Sequence, residues 1–165
     1  MKIAIVGFGE AGSALVQGWG EARARDVWVY DLKIADPKTA TEITDRAARY
    51  GVQCCADLAE ALQGAELVFC TVTADQAVLA AKAAVDHLSP RTVWLDLNSV
   101  APFSKRMAAE VIENAGARYV DVAVMAPVHP KLNMVPVLLS GPHAADLLPV
   151  LQALPMAPRL IEGPV

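Results

Sequence analysis

Aromatic side chains are scarce: they make up 5% of the 165 residues, although 55% of the chain is hydrophobic. The apolar content is therefore mostly Ala, Val and Leu, which fits a buried parallel sheet covered by close-packed helices. A surplus beyond that would mark a face meant for a partner or another domain. Basic runs are absent and the net charge is −4, which argues against a nucleic-acid partner. No apolar stretch is long enough to span a bilayer, and no signal-peptide pattern precedes the first apolar run. Cysteine is equally sparse. Cys54, Cys55 and Cys70 make neither a disulfide framework nor a metal spacing, and adjacent Cys54 and Cys55 would point to opposite faces of a strand. The expectations are no metal, no membrane and a reducing cytoplasm. One domain, residues 1–165, is long enough for a real core.

What is present begins at once. Lys2 to Val6 is a short apolar run rich in β-branched residues, with no helical period. Gly7-Phe8-Gly9-Glu10-Ala11-Gly12 follows, and Ser13-Ala14-Leu15-Val16-Gln17 begins a helical pattern. A G-x-G-x-x-G between strand and helix is a nucleotide fingerprint. Gly7 permits the tight turn, Gly9 lets a pyrophosphate approach the backbone, and Gly12 lets helix and strand pack closely. Free N–H groups and the positive dipole end of the helix suit an anionic phosphate. The competing reading is a glycine turn that merely connects strand and helix.

Further strands are expected at Val27–Asp31, Val52–Cys55, Glu66–Thr73, Thr92–Leu97, Arg118–Val124, Val135–Ser140 and Ala157–Ile161. Helices are expected between them: Ser13–Ala22, Asp36-capped to Tyr50, Asp57-capped to Leu62, Ala74–His87, Phe103–Asn114 and His143–Leu154. Repeated βα units predict an α/β fold: a Rossmann-type, doubly wound, mainly parallel sheet with helices on both faces. Ligands of such sheets bind beyond the carboxyl ends of the strands. That edge carries Gly7 to Gly12, Asp31 with Leu32, Thr71-Val72-Thr73, Asn98-Ser99 and the segment after Val124. Thr73, Asn98 and Ser99 are also ordinary helix-cap residues. Asp31 lies about 20 residues past Gly12, where an acidic residue accepts from the ribose 2′-hydroxyl of NAD and repels the 2′-phosphate of NADP. Lys33 and Lys38 are the residues that would instead reach a 2′-phosphate. NAD is the expected coenzyme, with NADP as the alternative.

Together these residues resemble the β-hydroxyacid dehydrogenases, a family that includes 3-hydroxyisobutyrate and 6-phosphogluconate dehydrogenases. The resemblance covers essentially the whole chain. It rests on Gly7 to Gly12, on Thr71-Val72-Thr73-Ala74-Asp75, and on Asp96-Leu97-Asn98-Ser99-Val100-Ala101-Pro102. The last is similar to the family's D-x-S-T-x-x-P stretch beside nicotinamide and substrate, with Ser99 matching its threonine and Asn98 replacing a serine. The chain looks closest to a phosphogluconate-dehydrogenase-like branch that pairs this domain with a C-terminal domain of unknown function. The resemblance implies that Asn98 and Ser99 bind the coenzyme by positioning its nicotinamide, and that Ser99 also holds part of a small-molecule substrate. Where the family has D-x-P-V-S-G-G, however, this chain has Asp121-Val122-Ala123-Val124-Met125-Ala126-Pro127. Met125 has no hydroxyl and Pro127 no N–H to offer a carboxylate. His129 or Lys131 would substitute, against the blander readings of a loop histidine and a solvated lysine.

The resemblance places the catalytic lysine on a helix beyond Val165, in a helical C-terminal domain that also makes a homodimer. The catalytic residue is therefore unknown here and expected beyond Val165, and the isolated chain is expected to be inactive. Three readings follow. The first is the coenzyme domain of an NAD(P)-dependent oxidoreductase acting on a small hydroxy acid or related carbonyl. The second is a stand-alone dinucleotide-binding module without catalysis. The third is a sugar-nucleotide or flavin binder on the same fold.

Overall fold

A computed structural model describes all residues 1–165. The elements are β1 (Ile3–Val6), α1 (Glu10–Trp19), a short α2 (Glu21–Ala24), β2 (Val27–Tyr30), α3 (Pro37–Tyr50), β3 (Gln53–Cys54), α4 (Leu58–Leu62) and β4 (Leu67–Cys70). They continue with α5 (Ala77–Ala84), β5 (Val93–Asp96), α6 (Pro102–Asn114), β6 (Arg118–Val124), β7 (Pro136–Ser140), α7 (Ala144–Ala153) and β8 (Ala157–Leu160).

Local chemistry explains most boundaries. Asp36 accepts from the Lys38 N–H and Pro37 fills the first turn of α3, while Gly51 ends it in the left-handed region at φ 68°. Asp57 accepts from the Glu60 N–H at 2.8 Å, and the Glu60 carboxylate returns to the Ala56 N–H at 2.9 Å, a reciprocal cap on α4. Some expected segments are more broken. Gly20, at φ 74°, separates α1 from α2. The expected Ala74–His87 helix is a 3-10 turn, then α5, then a second 3-10 turn at Val85–His87. A 3-10 turn also forms at Leu132–Met134 inside the proline-rich loop.

The eight strands form one sheet in the order β3-β2-β1-β4-β5-β6-β7-β8. All neighbours are parallel except β6 and β7. The chain moves outward from β1 to β3, then crosses back to β4 on the other side of β1, which creates a switch point between β2, β1 and β4.

Alternation along the central strands divides the core between the two faces. Ile3, Ile5, Leu67, Phe69 and Leu95 face α1, α3 and α7, while Ala4, Val6, Val68, Cys70 and Trp94 face α4, α5 and α6. On the second face fully buried Trp94 and Tyr119 are surrounded by Ala81, Ala84, Ala108 and Ala109. Alanine-rich helices there pack close to two large rings, so few aromatics suffice.

A buried charged group lies under the carboxyl end of β5. Asp96 pairs in register with Asp121 of β6, and Lys105 reaches both from α6. Its Nζ is 3.1 Å from Asp96 Oδ1, 2.8 Å from Asp121 Oδ1 and 2.7 Å from the Asp96 carbonyl. Tyr119 donates its hydroxyl to Asp96 Oδ2 at 2.7 Å. Lys105 thus ties the last residue of β5, and the loop leaving it, to α6. Removing one partner of a buried ion pair leaves an uncompensated charge. Lys105→Met is therefore expected to cost about 3–5 kcal/mol in urea unfolding.

Beside this group, burial, then the Asp96 charge, pushes the Cys70 thiol from its ordinary 9.0 up to about 12. The stability this contributes is present below pH 9.0 and is lost as the pH climbs toward about 12. Cys55, pushed by burial to about 11, adds to the same slope. Urea-derived stability is expected to fall across this alkaline range, and Cys70→Ala to make the fall shallower.

Candidate functional site

A cleft of about 880 Å³ opens at the switch point. Its floor is the β1–α1 turn. Gly7 has φ +89°, and a Cβ there would lie 2.6 Å from the Thr71 carbonyl oxygen. A Cβ on Gly12 would lie 2.7 Å from the Gly7 carbonyl oxygen and 3.0 Å from Ile5. Both glycines are thus required by the close approach of β1, α1 and the end of β4. Gly9 is different, because a Cβ there would meet nothing within 4 Å. Packing does not require glycine at position 9; the space above it opens into the cleft.

The turn's own backbone is held from three sides. Thr71 donates its hydroxyl to the Gly7 carbonyl at 2.6 Å. Asp31, at the end of β2, accepts from the Phe8 N–H at 2.8 Å and from the Lys33 N–H at 3.0 Å. Arg46, from α3, donates to the Phe8 carbonyl. The Phe8 ring is fully buried with its edge against Tyr50, so this residue contributes backbone alone. No side chain caps α1, and its first backbone bond is Ser13 N–H to the Gly9 carbonyl. The first-turn N–H groups therefore remain directed at the cleft mouth, where they favour an anion.

Gly7, Gly9, Glu10, Asp31, Leu32, Thr71, Val72 and Thr73 all line the cleft. Gly12, Ala11 and Phe8 belong to its turn without lining it. Asn98 is not brought to the cleft. It is buried, and its amide donates to Asp96 Oδ1 at 2.7 Å and faces the Cys70 sulfur, turned into the ionic group. Ser99 is exposed on the loop after it. Met125, His129 and Lys131 are exposed on the β6–β7 loop, also outside the cleft. Lys33 lines the cleft, whereas Lys38 does not.

Several lining residues carry no sequence motif. Leu58 of α4 and Leu79 and Ala80 of α5 give the cleft an apolar wall, and His87 also lines it. Arg46 stands on the charged side, and the i,i+4 spacing of Glu42 and Arg46 is the signal that would have drawn attention to it. An apolar wall, an anion-favouring turn and a carboxylate beside β2 suit a ligand with a flat ring, a phosphate group and a sugar hydroxyl.

Residues 2–154 match the family model for the NAD-binding domain of 6-phosphogluconate dehydrogenase. The chain belongs to this family. As an NAD-binding domain it is 36% identical to a conserved hypothetical protein from Sinorhizobium meliloti 1021, with a TM-score of 0.93 over 99% of this chain and 55% of that one. A conserved protein of unknown function, described as structurally similar to 3-hydroxyacid dehydrogenases, is 24% identical, with a TM-score of 0.82 over 99% of this chain and 58% of its own. The 3-hydroxyisobutyrate dehydrogenase of Mycobacterium tuberculosis shares the fold at 22% identity, with a TM-score of 0.78 over 97% of this chain and 53% of that one. The domain thus spans little more than half the length of these solved chains. No curated protein matches it. No helix is long and apolar enough to cross a membrane.

The different demands on the glycines are measurable. Gly12→Ala is expected to destabilise the domain by about 1–3 kcal/mol through overpacking. Gly9→Ala should cost less, below about 1 kcal/mol, the scale of an N-cap change. Thermal or urea unfolding of the two variants distinguishes them.

Proposed function

We propose that this chain is the coenzyme domain of an NAD(P)-dependent oxidoreductase acting on a small hydroxy acid or related carbonyl compound, and that it prefers NAD(H). The observation that carries the reading is Gly9: among the three glycines of the turn, it alone is not required by packing, and it faces the cleft. The turn and the first N–H groups of α1 would hold the pyrophosphate, and Asp31 the adenosine ribose. Both Asp31 oxygens already accept one backbone N–H, which fixes the carboxylate, and each keeps a lone pair for a ribose hydroxyl. Thr71 to Thr73 would flank the middle of the dinucleotide. The bound coenzyme supplies hydride transfer.

Further along the same edge, exposed Ser99 would serve the substrate and the nicotinamide, on a loop anchored by Asn98, Asp96 and Lys105. The family resemblance assigns the acid–base lysine and the dimer contacts to a further domain, so turnover by residues 1–165 alone is not expected. Met125, His129 and Lys131 stay candidates for the substrate side, supplied by the β6–β7 loop.

Calorimetric titration with NAD(H) and NADP(H) tests the reading. NAD(H) should bind more tightly. Gly9→Val should abolish binding while leaving the circular dichroism spectrum and melting temperature unchanged, because a branched side chain would occupy the open space above the turn. Retained affinity in the folded variant would show that no part of the dinucleotide occupies the space above Gly9.

A further inference from the structure

The rim of the cleft beside β2 carries a compact set of charges. Asp31 and Lys33 follow β2, and Glu42 and Arg46 stand one turn apart on α3. The Glu42 carboxylate holds both cations at once: Oε1 accepts from Arg46 Nη2 at 2.7 Å, and Oε2 lies 3.3 Å from Lys33 Nζ. Arg46 is further pinned by its other nitrogen on the Phe8 carbonyl of the glycine turn. Two carboxylates and two cations cancel, so the rim presents no net positive charge.

We propose that Glu42 is a specificity-determining positioning residue: by occupying Lys33 and Arg46 it withholds them from a 2′-phosphate and sets the preference for NAD(H) over NADP(H). The inference rests on the coenzyme reading above. A dinucleotide with a free 2′-hydroxyl needs only Asp31 and does not disturb the pair of ion contacts. One with a 2′-phosphate must either displace the Glu42 carboxylate from both cations or sit beside two carboxylates with their counter-charges engaged. Like charges at that range are unfavourable, whereas a freed arginine and lysine would bind a phosphate well. Hydrogen bonds from Arg46 and then Lys33 hold the Glu42 carboxyl below the usual glutamate range, so it remains ionised through neutral pH. Asp31 alone repels the phosphate; Glu42 removes the groups that would overcome that repulsion.

Glu42→Gln removes the charge on an exposed helical position and keeps a good helix former. Titration of this variant should show NADP(H) affinity raised about five- to tenfold with NAD(H) affinity changed less than about twofold, given the strength of exposed ion pairs. The gain should shrink in about 1 M salt, where screening acts within about 3 Å. In the double variant Lys33→Gln/Glu42→Gln the gain should fall back, because one freed cation is gone. A wild-type chain that binds neither dinucleotide overturns the coenzyme reading and this inference with it. A wild-type chain that binds NAD(H), with an unchanged preference in folded Glu42→Gln, overturns the role of Glu42 alone.

Discussion

The β1–α1 turn is the constraint on which the cleft depends. A backbone this close to a neighbouring strand leaves no room for side chains at Gly7 and Gly12. Closeness also creates a polar problem, since the turn's N–H and C=O groups sit in a part-buried place. Three distant segments solve it. Thr71 takes the Gly7 carbonyl, Asp31 the Phe8 N–H, and Arg46 the Phe8 carbonyl. The turn is therefore fixed by β2, α3 and the end of β4 together. Its rigidity pre-arranges the open space above Gly9 and the free end of α1, so little ordering cost would fall on a ligand.

The binding edge is organised by different physics at its two ends. At the glycine turn, backbone geometry dominates and the charged groups sit on an exposed rim. Under β5 and β6, the organising group is buried: Lys105 between Asp96 and Asp121, with Tyr119 closing the remaining Asp96 oxygen. Burial, then the Asp96 charge, drives the Tyr119 phenol well above its ordinary range, so it remains a hydrogen-bond donor. Removing any one partner would leave a buried charge uncompensated, so the members hold one another in place. The group fixes the point where the chain leaves β5 for Asn98 and Ser99. The alanine-lined face around Trp94 and Tyr119 gives α6 the close approach that brings Lys105 in.

Membership in the NAD-binding domain family and the shape of the cleft agree with each other, and the chemistry of the rim adds detail. Asp31 has a structural task, capping the turn after β2 and holding Phe8, as well as the ribose contact proposed for it. The two tasks are compatible because an ionised carboxylate has more acceptor sites than the backbone uses. The rim cations are likewise committed within the protein before any ligand arrives.

The sequence alone determined what depends on neighbours along the chain. Apolar β-branched runs marked the strands, Asp36-Pro37 and Asp57 marked helix starts, and Gly7 to Gly12 marked the turn, because caps, turns and periodicity act over a few residues. The doubly wound, mainly parallel sheet followed from the alternation of such units. Tertiary structure decided the rest. Lys105 reads as an ordinary helical lysine until strand register sets Asp96 beside Asp121 beneath it. Asn98 reads as an edge residue until its amide is seen turned inward to Asp96. Arg46 joins the cleft, with Glu42 paired to it, only because α3 packs its flank against a turn 38 residues away from Arg46. The single antiparallel pairing, β6 with β7, depends on where the loop between them returns. Each of these requires two distant segments to be brought face to face, and no pattern within one segment encodes which side chain the other will meet.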